Sequence, residues 1–103
     1  GTGPTSPGVR LELQADCYAG VWFKHATEDP NSPITEVTQD DLNRAMDAAQ
    51  AVGDDRIQSK MQGQVRPETW THGSAAMRRQ WLARGFNSGD PNKCDTFARD
   101  ALN

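Results

Sequence analysis

The stretch VRLELQADCYAGVWFKHA, residues 9–26, decides the fold of this 103-residue chain. It predicts a helix with apolar residues on nearly all sides, and a helix of that kind is usually buried at the centre of a domain. Ser6 can cap the helix and Pro7 suits its first turn. The sequence therefore predicts a central helix against which a small domain is built.

Four further segments have helical spacing of their apolar residues. The second is capped by Thr38 and ends at Gly53, and the third follows at 54–61 and stops at Gly63. The fourth covers 74–86, beginning near Ser74, and is broken by Asn87, Ser88 and Gly89. The fifth covers 90–102 with Asp90 as its cap.

The segments between these helices have turn chemistry. Residues 28–33 (EDPNSP) are predicted as a loop, and 64–73 as an irregular extended crossing. Residues 1–8 (GTGPTSPG) are typical of a flexible lead-in. The prediction is an all-α domain, about five helices in a small irregular bundle with an extended loop around 64–73.

The composition argues against several function classes. A formal charge of −3 and a pI near 5.2 are unlike the basic face that a nucleic-acid partner requires. No run of about 18 apolar residues exists, so we expect no membrane contact by this chain. The motifs HExxH, GxSxG and the Gly-rich phosphate loop are absent from the sequence. Two histidines that are not spaced as a pair cannot form a three-ligand catalytic zinc site unaided.

Two carboxylates interrupt the apolar first helix. Glu12 and Asp16 stand four residues apart, so they share one helix face. Carboxylates in such surroundings are costly unless they are paired, hydrogen-bonded or bound to a metal. Both could instead be ordinary N-terminal charges that favour the helix dipole and pair with Arg10 or another arginine.

A histidine precedes the fourth helix in the run THGS, residues 71–74. Here His72, with Arg78 six positions later, could be a ligand, an acid or base, or an oxyanion donor. The alternative, which is the more usual one for a lone histidine, is a surface or capping histidine. His25 has no comparable context and is interpreted as structural or solvated.

The cysteines Cys17 and Cys94 lie in the first and last predicted helices. They could be buried free thiols, or they could form one disulfide that ties the two ends of the domain together. The number of cysteines alone does not decide between these alternatives. A nucleophilic role for Cys17 is disfavoured by its hydrophobic helix and by the neighbouring Asp16.

Four blocks of this sequence, in the same order, resemble the putative neutral zinc metallopeptidase family of bacteria. They are VRLELQADCYAG (9–20), AVGDDRIQ (51–58), THGS (71–74) and RGFNSGDP (84–91). The likeness covers nearly the whole chain, from Val9 to about Phe97. In that family the HExxH helix lies upstream of the first block. The resemblance thus implies that residues 9–103 are the C-terminal part of a zinc metallopeptidase domain.

The resemblance also implies roles for single residues. Glu12 matches the third zinc ligand of gluzincin-type peptidases, and Asp16 matches the aspartate that holds a ligand histidine. His72 and Arg78 are similar to the THP-plus-arginine element of CAAX-type membrane metallopeptidases, where the histidine stabilises the oxyanion and the arginine braces the glutamate. Gly73 departs from the proline of that element.

Further expectations follow from the family. Its members resemble membrane-anchored proteins, which implies an extracytoplasmic domain and favours a Cys17–Cys94 disulfide. The parent is expected to bind zinc and to hydrolyse a peptide or protein substrate. We expect this chain alone to bind no zinc tightly and to be inactive. The alternative is a non-catalytic helical interaction module, stabilised by the disulfide, which could self-associate through a surface exposed by truncation.

Overall fold

A computed structural model describes residues 2–28 and 39–102 of the chain. Its helices are α1 (Pro7–Glu28), α2 (Gln39–Ala51), α3 (Asp54–Gln62) and α4 (Ala75–Ser88). Two 3₁₀ turns follow α3 and α4, at Pro67–Thr69 and Pro91–Cys94. The described ranges contain no strand, so the all-α class is confirmed, with four helices where five were predicted.

Helices α1 and α4 form the framework of the domain, and they touch backbone to backbone. A Cβ added at Gly20 would lie 2.2 Å from the Leu82 carbonyl oxygen, and one at Gly85 would lie 1.8 Å from the Cys17 carbonyl oxygen. No real side chain tolerates such distances. The two glycines therefore allow an approach that no other residue type would permit.

The core consists of two clusters on opposite sides of α4. The larger one lies between α1, α4 and the segments after α3 and α4, and contains Val9, Leu13, Cys17, Val21, Trp70, Trp81 and Cys94. The smaller one joins α2 to α4 and contains Leu42, Met46, Ala49 and Leu82. Helix α4 therefore lies between α1 and α2.

Helix α1 is not buried on all sides, so that prediction is wrong. Leu11, Tyr18 and Trp22 are 59%, 47% and 57% exposed. Ala15 and Ala19 are exposed on the same side of the helix. We call these five residues the outer face of α1. The pattern shows which side chains are apolar, but not whether an element of this chain covers them.

A disulfide joins Cys17 of α1 to Cys94 in the second 3₁₀ turn, as the resemblance implied. The two cysteines are 77 residues apart. On the chain-entropy account, closing a loop of that length stabilises the fold by about 4–5 kcal/mol. For a domain of this size that is a large share of the total stability.

The fifth predicted helix is wrong, because the chain after Cys94 forms only turns. Its carbonyl groups are used by side chains from other elements. Arg84 Nε donates to the Lys93 carbonyl, Gln14 Nε2 to that of Cys94, and Arg10 Nη1 to that of Thr96. The buried Thr96 hydroxyl donates in return to the Arg10 carbonyl. Three of these four bonds join segments 80 or more residues apart, and they take the place of the i to i+4 ladder that the apolar spacing predicted.

Most other helix ends follow their local signals. The Ser74 hydroxyl accepts a hydrogen bond from the Met77 N–H, and Gly63 and Gly89 end α3 and α4 with φ of 69° and 59°. Helix α1 begins at Pro7, within the predicted lead-in, where Thr2 and Gly3 bond the carbonyls of Glu68 and Trp70. The predicted cap Thr38 and nearly all of the predicted loop 28–33 lie outside the described residues. Within the described ranges, no helix is long and apolar enough to cross a bilayer.

Candidate functional site

The two carboxylates of α1 meet one arginine of α4. Arg78 Nε lies 2.8 Å from Asp16 Oδ2, and Arg78 Nη2 lies 2.9 Å from Asp16 Oδ1. This is a two-bond fork, the strongest common geometry between an arginine and a carboxylate. Both side chains are 13% exposed. The shared face that the spacing of four predicted is therefore present, and it is turned toward α4.

Glu12 contrasts with Asp16 in its contacts. Its Oε2 lies 3.9 Å from Arg78 Nη2, which is too long for a hydrogen bond. Its side chain is 38% exposed. Asp16 is thus fixed by Arg78, while Glu12 has a carboxylate that is open to a further partner.

The charge on Arg78 is secured by its neighbours. The hydrogen bond to Asp16 is the main reason that the pKa of Arg78 is raised above its ordinary value, and burial opposes it less strongly. The charges of Asp16, Glu12 and Asp54 raise this pKa further. Arg10, the partner named in the structural alternative, instead bonds the carbonyls of Thr5 and Thr96. The alternative of pairing with another arginine is realised at Asp16.

The run THGS is held by two aspartates at the start of α3. Asp54 Oδ2 accepts the backbone N–H groups of Thr71, His72 and Gly73 at 3.0, 2.7 and 2.8 Å. The Asp54 N–H donates to the Gly73 carbonyl at 2.8 Å. Asp55 Oδ1 accepts the N–H of Ala75, the first residue of α4, at 2.7 Å. The N-termini of α3 and α4 are thereby joined.

Sequence reasoning missed this function of Asp54 and Asp55. The two residues were visible only as acidic residues at a helix start, where the dipole alone accounts for them. The one signal that could have found them is the family likeness, because AVGDDRIQ and THGS are two of its blocks. Their contact across the fold was not inferred.

His72 is exposed over about half of its side chain, with one ring nitrogen engaged. Its Nδ1 lies 2.9 Å from Thr71 Oγ1 and 3.5 Å from Asp54 Oδ1. The following Gly73 has φ of 97°, a value that proline cannot adopt. The departure from the THP element is therefore a real difference in backbone geometry.

Asp54 is common to both groups of residues. It holds the His72 segment, and its charge acts on Arg78. Arg78 Nη1 also lies 3.5 Å from the Val52 carbonyl, two residues before Asp54. The structure thus brings Glu12, Asp16 and Arg78 into one cluster and places His72 against Asp54.

The second histidine is part of the framework. His25 Nε2 lies 2.7 Å from the Gly89 carbonyl oxygen at the end of α4. This contact joins the C-terminal parts of α1 and α4, in keeping with the structural interpretation.

The described residues do not complete a metal site. Over 2–28 and 39–102, no group of three or more His, Cys, Asp or Glu side chains is arranged to hold a metal ion. A catalytic zinc needs three protein ligands. Glu12 is the one open carboxylate of this cluster, so the donor set fits a contribution to a zinc site and not a whole one.

The family model described as putative neutral zinc metallopeptidase matches residues 3–97. Uncharacterised proteins of Mycobacterium tuberculosis and Mycobacterium bovis are each 54% identical over 101 residues, which is 93% of this chain and 34% of theirs. An uncharacterised protein of Escherichia coli K12 is 50% identical over 91 residues, 88% of this chain and 30% of its own. The chain therefore spans about a third of the length of these curated relatives. No solved structure matches it.

Proposed function

Since the chain belongs to the putative neutral zinc metallopeptidase family, we propose that it supplies one part of a zinc peptidase site. In this proposal Glu12 is a zinc ligand, Asp16 holds a ligand histidine from another part of the domain, and His72 stabilises the oxyanion. Arg78 braces the two carboxylates. The observation that carries the proposal is that Glu12 stays open while its neighbour Asp16 is locked to Arg78.

When bound, zinc supplies polarisation of the scissile carbonyl and activation of water. The residues of this chain prepare the site for it. The fork from Arg78 fixes the rotamer of Asp16, and each Asp16 oxygen retains capacity for a second hydrogen bond. That capacity is what a ligand histidine would use. The guanidinium near Glu12 keeps a positive charge beside its carboxylate.

The exposed outer face of α1 supports the proposal that other parts of the parent domain complete this site. Leu11, Tyr18 and Trp22 lie exposed along the helix that carries Glu12. Monomeric proteins rarely leave large contiguous apolar patches uncovered. Because the relatives are about three times as long, we propose that other parts of the parent domain cover this face and bring the remaining ligands.

We propose that the intact protein lies outside the cytoplasm, with a membrane anchor in the parent and a peptide or protein as substrate. The Cys17–Cys94 disulfide supports this location, because structural disulfides persist in oxidising compartments. The substrate class follows from the family alone.

The test uses a chimera of the Mycobacterium tuberculosis relative in which this chain replaces the matching 101-residue stretch. Bound zinc is measured by elemental analysis, and hydrolysis by release of fragments from an unfolded protein. We expect Glu12→Gln to abolish stoichiometric zinc binding and hydrolysis together. Glu28→Gln is the matched control, because Glu28 lies on the same helix in an exposed pair with Lys24. Equal zinc content in the two variants would refute a ligand role for Glu12.

A second candidate function is a non-catalytic module that self-associates, and the exposed outer face of α1 favours it. If this holds, sedimentation of the chain alone should show a dimer that Trp22→Ser disrupts. Met61→Ser, at a residue that is 80% exposed on α3, is the control. A wild-type chain that remains monomeric at all attainable concentrations would remove this candidate.

A further inference from the structure

Asp54 contacts His72 in two different ways. One carboxylate oxygen, Oδ2, takes the backbone N–H of His72 together with those of both neighbours. The other oxygen, Oδ1, faces the ring nitrogen Nδ1 at 3.5 Å. The Asp54 side chain is only 14% exposed, while that of His72 is 53% exposed.

These contacts favour one tautomer of the His72 ring. Nδ1 lies between two oxygens, Thr71 Oγ1 and Asp54 Oδ1. An ionised carboxylate can only accept, whereas the Thr71 hydroxyl can donate or accept, so a proton on Nδ1 is the arrangement that suits both oxygens. Nε2 is then the nitrogen that a substrate can reach, on a side chain that is 53% exposed.

We propose that Asp54 is the positioning residue of His72, fixing both the backbone of the loop and the nitrogen that the ring presents. This rests on the proposed function, in which His72 stabilises an oxyanion. Nε2 can donate to a developing negative charge only when the ring carries both protons, and Asp54 then accepts Nδ1–H. In functional histidines generally, the hydrogen-bond partner of one ring nitrogen sets the tautomer and the orientation of the ring.

Replacing the Asp54 carboxylate by an amide should reverse the tautomer of His72. In Asp54→Asn one oxygen remains, and three backbone N–H groups compete for it. The NH₂ group would then face His72 Nδ1 and donate to it. The proton of the neutral ring should move to Nε2, so the dominant tautomer inverts.

The experiment records ¹⁵N–¹H correlations of the imidazole rings of the whole chain at alkaline pH, where free imidazole is neutral. We expect the Nδ1–H tautomer of His72 in the wild type and the Nε2–H tautomer in Asp54→Asn. Asp55→Asn is the matched control, because Asp55 bonds the Ala75 N–H and has no contact with the ring among its described bonds. His25 serves as the internal reference.

An unchanged tautomer in Asp54→Asn, or the same inversion in Asp55→Asn, would overturn the proposal. If Asp54→Asn does not fold, Thr71→Val decides the matter, because Asp54 should hold Nδ1–H without the hydroxyl. Inversion in Thr71→Val would assign the effect to Thr71 instead. These spectra need neither zinc nor substrate, so their outcome is independent of the zinc measurement on Glu12.

Discussion

The chain has two pairs of carboxylates near its candidate site, and they are satisfied in opposite ways. Glu12 and Asp16 on α1 face a charged side chain, Arg78. Asp54 and Asp55 on α3 face backbone N–H groups of the segment that leads into α4. The first pair forms an ion-pair cluster with Arg78, and the second pair holds the backbone that leads into α4.

The difference shows which carboxylate can be spared for chemistry. Asp54 accepts three backbone bonds and Asp16 accepts two from Arg78, so the fold fixes the position of both carboxylates. Glu12 is the least engaged of the four in its described contacts. A residue that contributes little to stability while lying beside a fixed charge is a good candidate for a ligand position. The free energy of unfolding, measured in urea with the disulfide intact, should therefore rank the four residues.

Asp54→Ala should have the largest effect. Each backbone bond to a charged acceptor contributes about 1.5–3 kcal/mol, and three that share one oxygen are not additive. We expect a loss of about 3–5 kcal/mol. A loss below about 1 kcal/mol would show that the loop does not depend on Asp54.

Asp16→Asn should have the next largest effect. It leaves Arg78 with a weak partner in a site where both side chains are 13% exposed. Removing one member of a fully buried pair costs about 3–5 kcal/mol, and partial exposure lowers this to about 2–3 kcal/mol. The double variant Asp16→Asn with Arg78→Gln closes the cycle, and a coupling energy near zero would contradict the pairing.

Asp55→Ala should cost about 1–2 kcal/mol, because it removes one bond to the N–H of Ala75 at the start of α4. Hydrogen exchange should localise the change. We expect faster exchange of the Ala75 amide and unchanged protection of the amides of Thr71 and His72. Equal loss of protection in both places would mean that the two aspartates act as one unit.

Glu12→Gln should change the free energy of unfolding by less than about 0.5 kcal/mol, as is usual for a partly exposed ion pair with a long contact. A loss as large as that of Asp16→Asn would make Glu12 a structural residue. It would also weaken its assignment as a ligand.

The sequence predicted the parts of the fold that depend on local signals. Ser74, Gly63 and Gly89 each fulfil a role that neighbouring residues define. The prediction of a fifth helix was wrong because its apolar spacing is helical, while Arg10 and Gln14 from α1 and Arg84 from α4 bond its carbonyls. Long-range hydrogen bonds of this kind leave no periodic pattern.

For the candidate site, too, the sequence predicted some features and missed others. A spacing of four predicts that Glu12 and Asp16 share one face, and the family likeness implies that Arg78 braces the glutamate; the structure has Arg78 against both carboxylates. Asp54 was missed because its partners are main-chain atoms, which every residue has. The exposed side of α1 was missed because apolar character alone does not show whether an element covers it.

The glycine contact between α1 and α4 makes the helix pair a lever. Gly20 and Gly85 fix where the two backbones cross, and Glu12 lies eight residues away, roughly 12 Å along the helix at 1.5 Å per residue. Tilting α1 by about 5° at the crossing would move Glu12 by about 1 Å, a misplacement that can cost an active site about a hundredfold in rate. A single methyl group at Gly85 would thus displace Glu12, the one ligand proposed on this chain, without changing Glu12 itself.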